Sequence, residues 1–167
     1  MTPAEAANVL ETSGQTYVSV LRSVTPEVAA WRPGPEEWCI NECLGHIIEA
    51  EKRGFAGRIR LILAENNPTF QLWDQPAVAR ERHDCEKQPQ QLIDEFQPLR
   101  RESLAMLRAV RTDQLSRAGT HPRVGSLSVD DLVHEWVHHE SNHLRQVLAN
   151  IQAYVWPKMG NAQRFNS

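Results

Sequence analysis

No stretch of this chain approaches the roughly 20 consecutive apolar residues that a membrane-spanning helix requires, so no membrane span is expected. Nor is there an excess of positive charge. Lys and Arg number 18 against 21 Asp and Glu, which gives a net charge of -3 and a pI near 6.2. That balance supplies no field to attract nucleic acid or an anionic membrane surface, and neither is expected as a partner. Cysteine is scarce: Cys39, Cys43 and Cys85 are the only 3 in 167 residues. Such a sparse, odd set is unlike the dense framework of a small oxidised domain, so the thiols are expected to be reduced. Period-two alternation, internal repeats and low-complexity tracts are also missing, which argues against a sheet protein and a repeat array. The opening Met1-Thr2-Pro3-Ala4-Glu5 carries a helix-capping pattern rather than the basic and then apolar profile of a secretory leader, and a cytoplasmic location is expected.

What is present is helical periodicity. Apolar residues recur at helical spacing over about Pro3 to Arg22, through Val9, Leu10, Tyr17, Val20 and Leu21. They recur again from Cys39 or Ile40 to Ala64, through Leu44, Ile47, Ile48, Phe55, Ile59 and Ile62. A third run, from about Pro89 to Arg111, contains Pro98, whose missing N–H and ring clash predict a kink or break. A fourth follows Ser128, a suitable N-cap with Asp130 and Asp131 in the first turn, and stops before Pro157. Between them lie a connector rich in Pro and Gly from Trp31 to Trp38, an aperiodic loop from Asn66 to Glu86, and a loop over Ala118 to Gly125. One all-α domain spanning residues 1–167 follows from this order: a four-helix bundle with long connecting loops. Loops of twenty residues inside compact domains are usually functional, so the Asn66 to Glu86 segment is a candidate cover for a pocket.

The chemistry is concentrated in the fourth helix. His134-Glu135-Trp136-Val137-His138-His139-Glu140-Ser141-Asn142-His143 holds 4 of the 7 histidines. At about 100° per residue, His139 and His143 fall on the edge of the arc occupied by Leu132, Val133, Trp136, Val137, Leu144 and Val147. His134 and His138 fall among polar residues and read as solvated. A single histidine at such a boundary is ordinarily a hydrogen-bonded core residue. Two at i and i+4 each need a partner, and one divalent cation supplies both. His46 holds the same edge position on the second helix, and a bundle can bring two such edges together. Three neutral imidazoles from two helices would leave open coordination positions, as catalytic metal sites do. Zinc, nickel and ferrous iron all accept such ligands.

Two segments resemble a known family. Trp38-Cys39-Ile40-Asn41-Glu42-Cys43-Leu44-Gly45-His46 is similar to the second-helix signature of the DinB-like superfamily, which includes bacillithiol and mycothiol S-transferases. His139-Glu140-Ser141-Asn142-His143-Leu144-Arg145-Gln146 is similar to its fourth-helix His-x-x-x-His signature with a trailing Gln, and the Trp-x-Pro connector and length also agree. The resemblance implies a four-helix bundle, usually a homodimer, with a divalent metal on His46, His139 and His143. It implies an enzyme that activates a low-molecular-weight thiol, or in a hydrolase version water, against a small-molecule substrate. The alternative is a non-catalytic bundle that binds a metal or small ligand.

Other residues carry weaker expectations. Glu49, one turn from His46, is a candidate acceptor behind the ligands or a general base. Cys39 and Cys43 share the arc of His46, which makes thiolate ligation geometrically conceivable. Glu51 and Arg58 are expected to pair at the bundle boundary with their stems buried, a substrate-orienting role being the lesser alternative. Gly54 or Gly57 should mark a close backbone approach. Trp73 and Trp136 are expected to pack, or else to line a pocket. His83 and His121 are left outside the site.

Overall fold

A computed structural model describes residues 1–166; Ser167, the last residue of the expected domain, lies outside the described residues. The chain order is α1 (Pro3–Ser23), α2 (Pro26–Ala30), α3 (Ile40–Glu49), a π-helical turn (Ala50–Phe55), α4 (Ala56–Ala64), α5 (Gln75–Arg82), α6 (Pro89–Ala109), a hairpin of β1 (Ala118–His121) and β2 (Gly125–Ser128), and α7 (Val129–Val155), with short 3-10 turns between and after them. Helix α3, the π turn and α4 run on as one interrupted rod, giving the four long helices expected. In cross-section α1 and α3 each pack against both α6 and α7, so α1 faces the α3–α4 rod along one diagonal and α6 faces α7 along the other. Diagonal connections need length, which explains the connector from 24 to 39 and the hairpin region between α6 and α7.

Local chemistry sets the helix ends. Thr2 accepts from the Glu5 N–H while the Glu5 carboxylate accepts from the Thr2 N–H, closing a capping box. Ser128 and Asp131 do the same for α7. Helix α6 runs through Pro98 without the expected break. Pro98 and Asp94, whose carbonyl loses its donor, both lie on the exposed face, where water can replace the missing bond.

Three further expectations are corrected. The Asn66 to Glu86 segment is not wholly loop: Asp74 accepts from the Ala77 N–H and starts α5, with Pro76 in its first turn. The polar sequence of α5 buries no residue fully, so it has no apolar stripe to read. The region after α6 forms a two-stranded antiparallel hairpin with Ala118 opposite Ser128, turning at Gly125 with φ +85°. Finally, the cysteines are not all reduced, because Cys39 and Cys85 form a disulfide across 46 residues and leave Cys43 buried and free. Sequence spacing cannot show this pairing, since α5 and the turn after it bring Cys85 back to the start of α3. Closing a loop of that length stabilises by about 4 kcal/mol in the chain-entropy account.

The disulfide is one of several ties holding the α5 segment on α3. Asn41 Nδ2 donates to the carbonyls of Asp84 (3.2 Å) and Lys87 (2.9 Å). The Asp84 carboxylate sits so close to Gly45 that a Cβ there would lie 1.7 Å from Oδ2. Gly57 marks the expected close backbone approach, but the neighbour is its own helix: the π turn brings the Lys52 carbonyl to 2.0 Å from where its Cβ would be. Around Gly54 there is open space.

The core has two apolar clusters. One gathers Leu10, Phe55, Ile59, Ile62, Phe70, Leu107, Leu132 and Trp136. The other gathers Tyr17, Leu21, Ile40, Leu44, Ile47, Ile48, Phe96 and Val147. Between them runs a polar layer to which each long helix contributes: Ser13 from α1, Glu51 from the π turn, Arg100 from α6 and Glu140 from α7. Arg100 donates through Nε to Glu51 (2.9 Å) and bidentately to Glu140 (2.9 and 3.0 Å), and Ser13 Oγ donates to Glu140 (2.9 Å). Glu51 therefore pairs with Arg100, not with Arg58 as expected.

Candidate metal centre

His46 enters from α3, and His139 and His143 enter one turn apart from α7. Ring nitrogens of all three lie within 4.8 Å of one another. The closest approach is His46 Nε2 to His139 Nε2 at 3.0 Å, and ring centroids are separated by 5.0 Å (46–139), 4.6 Å (46–143) and 4.5 Å (139–143). His46 is buried and the other two are half-buried. His134 and His138 are exposed, as their helical phase indicates; His134 touches the N-terminal amine and His138 touches Asn142. His83 is exposed beside Glu86, and His121 sits in β1.

The environment keeps these imidazoles uncharged. Burial, followed by the neighbouring His143 and His139, brings the His46 pKa down to about 3. Burial, His143 and His138 bring His139 down to about 4. For His143 burial outweighs the opposing effects of Gln146 and Glu140, so its pKa is also lowered. Three neutral rings presenting nitrogen lone pairs towards a common point are the donor set a divalent cation requires. Gln146 Oε1 lies 3.0 Å from His143 Nδ1. An amide oxygen only accepts, so His143 carries its proton on Nδ1 and leaves Nε2 free as a ligand. The His139 Nδ1 atom is buried without a partner.

Aromatic rings wall the cluster. Trp38 stands 4.9 Å from His46 and stacks on His143 at 6.0 Å. Trp73 stacks on His46 at 6.3 Å, and Phe55, from the π turn, lies 5.1 Å from His139. The connector and the α5 segment thus cover the site from two sides. Trp136 instead stacks on Phe55 in the core, at 5.6 Å.

Glu49 is buried one turn from His46, but its carboxylate is engaged elsewhere. It accepts from Arg53 Nε (2.6 Å) and Arg82 (2.8 Å), with Lys52 Nζ at 3.5 Å. Burial raises its pKa, yet these three cations prevail and hold it below the usual carboxylate range. Arg82 also reaches Asp84 and Glu95, so Glu49 is part of the fastening of α5. Thiolate ligation is not available. Cys39 is in the disulfide, and burial pushes the Cys43 thiol up to about 12, so it stays protonated. Cys39, Glu42 and Cys85 also cluster, but with their sulfurs bonded to each other.

Two residues of this region escaped the sequence reading. Glu140 lies between His139 and His143, about 100° round the helix from His139 and so in the middle of the apolar arc. A carboxylate at that phase signals a buried partner, which proves to be Arg100. Phe55 was readable as core, but its contact with His139 depends on the π turn.

The fold is shared with solved structures. YfiT from Bacillus subtilis, described as a probable metal-dependent hydrolase with an unusual four-helix bundle topology, superposes with a TM-score of 0.83 at 17% identity, over 92% of this chain and 88% of that one. A conserved protein from Enterococcus faecalis gives 0.70 at 12% identity, over 92% of this chain and 97% of that one. The four-helix bundle protein TT2238 gives 0.59 at 20% identity, over 89% and 99%. No functionally curated protein matches the sequence significantly. The sequence profile of the DinB superfamily covers residues 10–147, and the chain is a member of that superfamily.

Proposed function

We propose that this protein is a metal-dependent enzyme acting on a small molecule, with His46, His139 and His143 holding the cation. The observation that carries this is the convergence of three uncharged imidazoles from two helices within 4.8 Å. A divalent cation bound there would lower the pKa of a coordinated water or thiol and so supply a nucleophile at neutral pH.

The chain's own residues do the rest. Gln146 sets the His143 tautomer, and Trp38, Trp73 and Phe55 wall the histidines with aromatic rings. Glu49 acts as a positioning residue. By clamping Arg82 it holds the segment that carries Trp73 over His46, and its lowered pKa makes it a weak proton acceptor. Water is the favoured nucleophile, in keeping with the hydrolase description of YfiT. The resemblance of the second- and fourth-helix segments to a superfamily that includes bacillithiol and mycothiol transferases supports the thiol version as a second reading.

Elemental analysis of untagged protein tests the site. About one divalent metal per chain is expected, lost in His46→Ala and His139→Ala while the helical circular dichroism is retained. Metal content undiminished by His139→Ala would remove the site. Assaying a panel of esters, amides and reactive halides with and without added cysteine or glutathione separates the two nucleophiles. Turnover that requires the thiol and fails in His46→Ala would displace the hydrolase reading.

A further inference from the structure

Trp73, which stacks on His46, also lines a cavity of 560 Å³ beside the π turn and α4. Phe70 and Leu61 give this cavity an apolar body, and Lys52, Arg53 and Arg58 face the single carboxylate of Glu65 within it. The three cations differ in one respect. Lys52 engages Glu95 and Glu49, and Arg53 engages Glu49. Arg58 has no hydrogen bond or ion pair to any described residue; its guanidinium lies over Phe70 at 5.3 Å, with Nε shut off from solvent and unpartnered.

This is unusual within the molecule. Among the described residues, the other shielded arginines are all partnered: Arg82 and Arg100 each have two or more carboxylates, and Arg117 donates to the Glu65 carbonyl at 2.9 Å. Burial costs Arg58 hydration, and apart from the Phe70 ring the described residues offer its guanidinium no polar partner. Glu65 is exposed and forms no ion pair with it, while His121 and Arg123 on the neighbouring hairpin add no negative charge. Arg58 is linked to the histidines through its neighbours: Trp73, which lines the same cavity, stacks on His46, and Phe55, three residues earlier in the chain, has its ring 5.1 Å from His139.

Building on the metal-centre reading above, we propose that Arg58 anchors the substrate through an anionic group, a carboxylate or a phosphoryl oxyanion. The apolar body of the substrate lies along Phe70 and Trp73, and its reacting end is at the three histidines. A guanidinium suits this role because its fork of donors matches two oxygens of one anion. Substrates of this enzyme therefore pair one negative charge with an apolar or aromatic portion.

Calorimetric titration with benzoate, phenylphosphonate and the neutral benzamide tests the proposal, on protein as purified and after chelation. At least one anion should bind, about 10-fold or more tightly than benzamide, in both preparations. The anion that binds better identifies the class. Arg58→Gln should weaken that anion by about 10-fold while leaving benzamide binding, metal content and melting temperature unchanged, and Arg58→Lys should recover part of the loss. The proposal is overturned if neither anion binds, if benzamide binds as tightly, or if Arg58→Gln binds the anion like wild type. Anion binding that disappears on chelation and ignores Arg58→Gln would mean ligation by the metal, sinking this proposal alone. Absence of metal together with Arg58-dependent binding would sink the metal reading alone.

Discussion

Two clusters of buried polar groups stand next to each other on α7, and they solve the cost of burial in opposite ways. In the layer around Arg100, donors from α1 and α6 meet acceptors from α1, the π turn and α7: Arg100 serves Glu51, Glu140 and the Leu10 carbonyl, Ser13 serves Glu140, and the Tyr17 hydroxyl donates to the Glu140 carbonyl at 3.1 Å. Glu51 Oε1 is left over, and burial pushes that carboxyl up despite the attraction of Arg100. One residue away, His139 meets another imidazole rather than a carboxylate, and its Nδ1 has no partner. The first cluster is closed and specifies how four helices pack. The second keeps lone pairs available, which is a structural liability and a chemical opportunity. Adjacent residues of a single turn, His139 and Glu140, serve the two purposes.

The comparison breaks most sharply at Arg100. Arg100→Met leaves Glu51 and Glu140 buried without their cation and should destabilise the fold by about 3–5 kcal/mol in denaturant titrations. His139→Ala should cost far less stability while abolishing metal uptake. If Arg100→Met proves neutral, the layer is not the closed ion cluster described.

Acid should act on the other cluster. An unfolded histidine takes up a proton near its ordinary pKa of 6.5, whereas folded His46 and His139 wait until about 3 and about 4. Between those values the unfolded chain binds more protons, so this contribution to stability is complete above about 6.5 and is lost as pH falls. Chelated protein should lose on the order of a few kcal/mol across that window. Replacing all three histidines should flatten that part of the profile; a profile identical in wild type and the triple variant would show that other groups control acid stability.

The smallest effect belongs to Gln146. Gln146→Ala frees the His143 tautomer and should weaken metal binding by about 10–100-fold with little change in melting temperature. Unaltered affinity, measured by competition with a chromophoric chelator, would show that His143 is oriented by packing alone.

Helical phase made much of this legible from single residues. It separated His139 and His143 from His134 and His138, and it placed His46 on a matching edge, because each decision depends only on the 3.6-residue period of one helix. The same period held the signal for Glu140, whose charge sits in the middle of an apolar arc. It could not anticipate α5, which lacks an apolar stripe, nor the hairpin, whose strands are short and polar. The partner of Glu51 was out of reach as well: Arg58 is a near neighbour in sequence, while Arg100 is 49 residues away and meets Glu51 only across the packed bundle.

By itself, then, the sequence determined the four long helices, their caps and the faces on which the three histidines lie, since these follow from local backbone geometry and the burial of apolar stripes. Only the tertiary structure decided what those faces meet. It joined Cys39 to Cys85, set Trp38 and Trp73 against the histidines, supplied Arg100 with its carboxylates and left Arg58 with none among the described residues. Such pairings depend on how helices distant in sequence pack and on how connectors fold back over them. Long-range contact, not local propensity, assigns each buried charge its partner.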